Sequence, residues 1–109
     1  MTTTIFNKKE NGVHIVGAAE DDGDYVLWQV NSVEPDSIYF EYDDQVNSGC
    51  NHVTECLIDM DGLHAVLNDG AQIHFYWNPP RHPELPSFVA GLRTIYSATP
   101  SILEVIDLA

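Results

Sequence analysis

The side chains of this chain that could do chemistry are five histidines and two cysteines, and they are spread along its length. A zinc site assembled from separate strands would draw on His52, Cys56, His64 and His74. No CxxC or HxxxH pairing supports it, and histidines in strands are more often ordinary, partly buried residues. Cys50 lies two positions before His52, but no third group that could orient a catalytic pair is identifiable. We therefore expect no metal, no cofactor and no catalytic residues.

Two acidic stretches have the composition of calcium-binding loops. Residues 20–24 read Glu-Asp-Asp-Gly-Asp, and residues 59–62 read Asp-Met-Asp-Gly. Neither has the twelve-residue pattern that closes on a bidentate glutamate, so both are interpreted as solvated turns. The chain also contains no phosphate-binding glycine loop, serine elbow or metalloprotease motif. The motifs therefore predict that the protein is not an enzyme.

The charge balance restricts the choice of partner. Seventeen acidic side chains face four basic ones, which gives a formal net charge of -13. Isolated buried carboxylates are costly, so most of this charge must lie on the surface. Such a surface repels nucleic acid and anionic membranes and attracts a basic protein. Acidity that serves solubility alone explains the composition equally well.

The bulk composition is typical of one domain that spans residues 1–109. With 109 residues, 44% of them hydrophobic, the chain can build one core. No apolar run is long enough to cross a bilayer, and the basic pair Lys8 and Lys9 follows the first apolar residues, with no signal-peptide core after it. We expect a cytoplasmic protein in which Cys50 and Cys56 are free thiols, Cys56 as a core residue.

Alternating apolar residues predict strands over residues 13–18, 25–30 and 37–42, with Glu34-Pro35-Asp36 breaking the chain between the last two. The most secure feature is a three-stranded antiparallel meander over residues 53–77. Its turns are placed at Asp61-Gly62 and Asp69-Gly70, because Asp-Gly suits the positive φ angles of tight hairpins.

A proline-rich connector over residues 78–83 precedes an amphipathic helix whose apolar side comprises Phe88, Val89, Leu92, Ile95 and Tyr96. Residues 102–108 favour a short strand. The predicted core comprises Trp28 or Val26 with Phe40, Leu57, Leu67, Phe75, Phe88, Leu92 and Ile95. The predicted fold is α+β and β-rich: a mainly antiparallel sheet with a central meander and one C-terminal helix packed on it.

One stretch carries a family resemblance. Tyr39-Phe-Glu41 leads into Gln45-Val-Asn-Ser-Gly49, interpreted as a loop, and then into a strand that opens Val53-Thr-Glu55. Asp61-Gly-Leu63 and the closing Leu92-Arg-Thr-Ile-Tyr96 extend the pattern, which resembles the tenth family of immunity proteins encoded beside bacterial polymorphic toxins. The resemblance implies a binding protein that neutralises a cognate toxin inside the producing cell. It does not fix the chemistry of the toxin.

The charge pattern and the resemblance together predict a surface that binds a toxin, which we expect to be basic. If Phe40 points inward, Tyr39 and Glu41 share an outward face, so an aromatic anchor lies among charges. The simpler interpretation is a solvated strand face with its loops. An adaptor domain with another basic partner is the second function considered, and a metal or small-molecule enzyme is the third. The predicted interface residues are Glu34, Asp36, Tyr39, Glu41, Asp43, Asp44 and Asn47, with Asp21 and Asp22 as a second patch.

Overall fold

The computed structural model describes residues 2–106, except for the side chains of residues 44–47. Within this part, the first five strands form one antiparallel sheet in chain order: β1 (Thr3–Glu10), β2 (Val13–Glu20), β3 (Tyr25–Asn31), β4 (Glu34–Tyr42) and β5 (Asp44–Cys50). A second sheet contains β6 (Val53–Ile58), β7 (Gly62–Leu67), β8 (Gln72–Tyr76) and β9 (Leu103–Val105). The helix α1 (Leu85–Ile95) and a short 3₁₀ turn (Pro100–Ile102) connect β8 to β9.

The predicted class, an α+β, β-rich fold with one late helix, is confirmed. The structure differs from the prediction in having two sheets, of which the meander forms the second. Strand β9 lies parallel to β6, so the strand predicted over residues 102–108 exists over Leu103–Val105. Ile102 belongs to the 3₁₀ turn instead, and residues 107–109 lie outside the described part. Strand β1 was not predicted because its second half, Asn7 to Glu10, is exposed and polar. Strand β5 occupies the segment interpreted as an Asn-Ser-Gly loop.

The meander of β6, β7 and β8 is confirmed, but its turns differ from the predicted two-residue type. In the second turn the Gly70 amide donates to the Leu67 carbonyl over 3.0 Å, and only Gly70 has a positive φ, of 89°. In the first turn Gly62 already belongs to β7. It is needed because a Cβ there would approach the Phe75 carbonyl oxygen of β8 to 2.4 Å. Gly70 is therefore needed for its positive φ angle, and Gly62 is needed because the backbone of β8 leaves no room for a side chain there.

The prediction that Glu34-Pro35-Asp36 breaks the chain is wrong, because β4 begins at Glu34. The pairing of β3 with β4 shifts between Val30 and Asn31, which leaves residues 35–37 in an irregular part of the ladder. A proline has no amide hydrogen to donate, and such an irregularity is one of the few places where a strand accepts it. Pro35 is exposed there.

The core lies between the inner faces of the two sheets and α1, and a chain of aromatic rings runs through it. Trp28 of β3 contacts Phe40 with ring centroids 4.9 Å apart and Phe88 of α1 at 5.9 Å. Phe88 in turn meets Trp77, which follows β8, at 5.2 Å. The predicted core residues are buried except Leu57, which is half-buried because it alternates with Cys56 and Ile58 along β6.

The five predicted apolar side chains are all buried, four of them on helix α1, which ends at Ile95, and the fifth, Tyr96, directly after it. It approaches β2 closely at Gly91, where a Cβ would lie 2.6 Å from a methyl carbon of Val16. The buried Trp28 Nε1 donates to the Tyr96 hydroxyl just beyond the helix over 2.8 Å. These contacts fix the helix against the five-stranded sheet.

The two cysteines are free and occupy contrasting environments, so their reactivity should differ. Burial raises the pKa of the Cys56 thiol to about 12, whereas Cys50 is exposed. Because the thiolate is the reactive form, we expect iodoacetamide to label Cys50 alone in the folded protein and both cysteines in denaturant. Mass spectrometry of the peptides measures this, with Cys50→Ser as the control. Labelling of Cys56 at the same rate in the folded protein would contradict its burial.

Candidate functional site

The five-stranded sheet has a second apolar face, opposite Trp28 and Phe40, which we call the outer face. It includes Phe6, Ile15, Tyr25, Leu27, Tyr39 and Glu41, and the polar residues Lys8 and Gln29 lie on it as well, each paired with Ile15. Its apolar and aromatic members are half-buried, whereas Val16, Trp28 and Phe40 on the inner face are fully buried. Within the described chain, the outer face therefore remains open to solvent. The outer face is apolar because strands such as β2 and β3 carry apolar residues at successive positions, which point to both sides of the sheet.

The strand register aligns the outer face in a row across four strands. Phe6 of β1 pairs with Gly17 of β2, Gly17 with Leu27 of β3, and Leu27 with Glu41 of β4. Gly17 is needed in this row because a Cβ there would lie 2.5 Å from the Phe6 ring. The Phe6 ring thus lies over Gly17, and Leu27 and Glu41 follow in the same row.

Glu41 is the unusual member of the outer face. The structure places it with Tyr39 on the side opposite Phe40, as predicted, but its side chain is only 8% exposed. It is therefore not the exposed rim charge that the prediction assumed. The Tyr39 hydroxyl donates to one of its carboxylate oxygens and the Tyr25 hydroxyl to the other. The hydrogen bond to Glu41 raises the pKa of Tyr39, which favours the protonated, donating form of the phenol.

Four exposed carboxylates form an acidic end of the same sheet, namely Asp21, Asp22, Asp24 and Asp43. The β2–β3 turn supplies the first three. The β4–β5 turn supplies Asp43, whose carboxylate accepts from the Tyr25 amide at 2.9 Å. Asp21 accepts from the Thr2 amide and Asp22 from the Asp24 amide, each at 3.1 Å. These side chains thus order their own turns while they concentrate negative charge beside Tyr25.

Asp24 is not among the predicted interface residues, although it lies in the acidic stretch over residues 20–24. Its pKa is raised, first by the charge of Asp22 and then by that of Asp43, which belongs to a distant part of the sequence. The acidic end thus gathers like charges from two turns. Only the pairing of β3 with β4 could have revealed this.

This raised pKa has a consequence for stability. A carboxyl whose folded-state pKa lies above its unfolded value binds more protons when folded, so its contribution to stability falls as the pH rises through that window. We expect Asp24→Asn to raise the melting temperature at pH 7 in low salt. The gain in melting temperature should shrink in 1 M NaCl, because salt screens the repulsion. It should also shrink below pH 3.8, the ordinary aspartate pKa, because the carboxyl is then protonated in the parent protein as well. Thermal unfolding measures it, and a variant less stable than the parent at pH 7 would contradict the repulsion.

The remaining predicted interface residues do not join this site. Glu34 and Asp36 lie near the other end of β4, roughly 20–30 Å from the acidic end at the rise of an extended strand. Both are exposed. The side chains of Asp44 and Asn47 lie outside the described part, although their backbone forms β5. The structure therefore groups Asp21, Asp22, Asp43, Tyr39 and Glu41 and separates the other two described residues.

Asp36 instead lines an open groove of about 490 Å³ at that far end of the sheet. The groove lies between the β1–β2 turn and the C-terminal end of α1, and its walls include Lys9, Val30 and Ile95. Charges of both signs line it, so its electrostatics favour no single class of ligand.

The histidines and cysteines considered for zinc do not converge. Cys56 is buried in the core, whereas His64 and His74 stack with ring centroids 4.4 Å apart on the opposite side of the second sheet. His14 and His82 are buried in separate hydrogen bonds, to the Asn7 side chain at 2.6 Å and the Thr3 carbonyl at 2.7 Å. Among the described side chains, no three or more potential ligands are placed to hold a metal ion.

No helix within residues 2–106 combines the length and the apolar character needed to cross a membrane. Comparisons with known proteins found no matching family model, no matching curated protein and no matching solved structure. The resemblance to immunity proteins therefore stays a prediction. The outer face and its acidic end are the features of the structure that bear on function.

Proposed function

We propose that this chain is a cytoplasmic immunity protein that binds a cognate toxin and neutralises it by covering a basic active-site surface. The observation that carries the proposal is the open outer face, where half-buried aromatic and aliphatic side chains lie beside four exposed carboxylates. The sequence resemblance supplies the class of partner, and the charge of the chain supplies the sign of the partner's surface.

The two parts of this surface would have different physical roles. Apolar and aromatic groups provide the area whose desolvation holds a complex together, and they slow dissociation. Exposed charges contribute mainly to the rate of encounter, because their field acts before contact is made. An inhibitor must reach its toxin before the toxin reaches its substrate, so fast association is the property that selection would favour.

The negative field also favours a particular kind of target. Toxins that act on RNA or DNA bind phosphates through basic clefts, and an acidic surface can occupy such a cleft directly. The same field argues against nucleic acid or an anionic membrane as the ligand of this chain. An adaptor role toward another basic protein would use the same outer face, so only the effect on toxicity separates the two functions.

Co-expression with the product of the neighbouring gene tests the proposal. We expect that product alone to arrest growth, and we expect this chain to restore growth and to co-purify with it in a stoichiometric complex. Co-purification without any toxicity to relieve would favour the adaptor role. A toxic product that this chain neither binds nor counteracts would overturn the proposal for that pair.

The acidic end should control association. We expect the double variant Asp24→Asn/Asp43→Asn to associate with the toxin more slowly and to show a weaker dependence on salt, with little change in the dissociation rate. Asparagine keeps the acceptor at Asp43, whose φ of 57° it also tolerates. Surface plasmon resonance at 20 and 200 mM NaCl measures both rates.

The matched control is Asp61→Asn/Glu104→Gln, which removes two exposed charges from the second sheet. An equal effect of both double variants would show that net charge acts without regard to position, and it would contradict the acidic end as the point of approach.

A further inference from the structure

We propose that the outer face contains an anchoring site in which Glu41, between Tyr25 and Tyr39, receives an arginine side chain of the partner. This inference rests on the proposed function, since it specifies how the partner is held. It starts from the Glu41 carboxylate, which is 8% exposed and lies next to Leu27 and two tyrosines on the outer face.

The hydrogen-bonding capacity of Glu41 is only partly used. A carboxylate has about four acceptor positions on its two oxygens. Within the described chain, each oxygen of Glu41 receives one tyrosine hydroxyl, from Tyr25 and Tyr39 respectively. About two acceptor positions therefore remain, one on each oxygen, which is the pattern that a forked donor can occupy.

Among the described residues, no cation pairs with the charge of Glu41. All four basic residues lie in the described part, and none of them bonds to Glu41. Lys8 lies on the outer face but in the edge strand β1, with β2 and β3 between it and Glu41, and Lys9 follows it. Arg81 lies in the connector before α1, and Arg93 lies in the last turn of α1. A buried carboxylate without a cation is costly, because hydroxyl donors compensate only part of the lost hydration. A cation from a second molecule would supply the rest.

The surroundings favour a guanidinium over an ammonium. Two tyrosine rings flank the carboxylate, and Leu27 pairs directly with Glu41 across the strands. Arginine is more weakly hydrated than lysine, stacks on aromatic rings and bonds to a carboxylate in bidentate fashion. Its aliphatic stem suits the apolar row formed by Phe6 and Leu27. The site thus matches an arginine that projects from a protein surface.

The test uses a probe that needs no knowledge of the toxin, namely the blocked tripeptide acetyl-Leu-Arg-Leu-amide. Its matched control carries citrulline, which keeps the shape of arginine without the charge. We expect the arginine peptide to shift the amide NMR signals of Tyr25, Tyr39 and Glu41 and to bind about tenfold more tightly than the citrulline peptide, the value of one charge-assisted hydrogen bond. The lysine peptide should bind more weakly than the arginine peptide.

Two variants locate the effect. Glu41→Gln should reduce arginine-peptide binding to the citrulline level, while Asp36→Asn, the same loss of charge at the far end of the sheet, should leave it unchanged. Thermal unfolding checks that Glu41→Gln is folded, and Tyr39→Phe, which keeps the ring, provides a second weakened site. Equal binding of the arginine peptide to Glu41→Gln and to the parent would overturn the anchoring site. NMR shifts confined to the acidic end would overturn it as well. Because this titration contains no toxin, its failure is separate from failure of the co-expression rescue.

Discussion

Replacing Phe88 by alanine is expected to lower the free energy of unfolding by about 3–5 kcal/mol, the usual range for a fully buried phenylalanine. Phe88 is 0% exposed and contacts Trp28 from one sheet and Trp77 from the end of the other. Its loss would leave a cavity at the point where both sheets and the helix meet. Urea unfolding followed by tryptophan fluorescence measures the change, since both indoles report on this junction.

Val33→Ala is the matched control for Phe88→Ala. Val33 lies in the β3–β4 turn and is 82% exposed, so its truncation should change the free energy of unfolding by less than about 0.5 kcal/mol. A loss below about 1 kcal/mol for Phe88→Ala would show that the core is not joined at this ring.

Replacing Tyr39 by alanine is expected to accelerate dissociation of the toxin about 30-fold or more. Aromatic side chains central to an interface typically contribute about 2 kcal/mol or more, and most effects of such truncations appear in the dissociation rate. Tyr39 provides an aromatic surface on the outer face and also donates to Glu41. Both contributions are lost in the alanine variant, whereas Tyr39→Phe loses the hydroxyl alone and should give an intermediate rate.

Tyr76→Ala is the matched control, since Tyr76 is a 64% exposed tyrosine on β8 of the second sheet. Stopped-flow or surface plasmon resonance gives the rates for all three variants. Dissociation that is unchanged in Tyr39→Ala but accelerated in Tyr76→Ala would move the interface to the second sheet.

The sequence by itself determined the elements whose signals are local. The meander of β6, β7 and β8 follows from apolar alternation between turn residues, and the buried side of α1 follows from helical spacing. The shared side of Tyr39 and Glu41 follows from the two-residue period of a strand. Each depends only on neighbours a few positions apart, which a linear sequence displays directly.

The tertiary structure decided which elements meet. The local sequence shows no strand signal for β1, because its exposed half is polar. Pairing with β2 nevertheless includes it in the sheet and brings Phe6 over Gly17. Pairing of β3 with β4 places Tyr25 against Glu41, sixteen positions away, and converts an expected surface charge into a buried carboxylate. The same pairing gathers Asp24 and Asp43 into one acidic end. Strand register joins residues that are distant in the sequence, and the composition of no single segment encodes it.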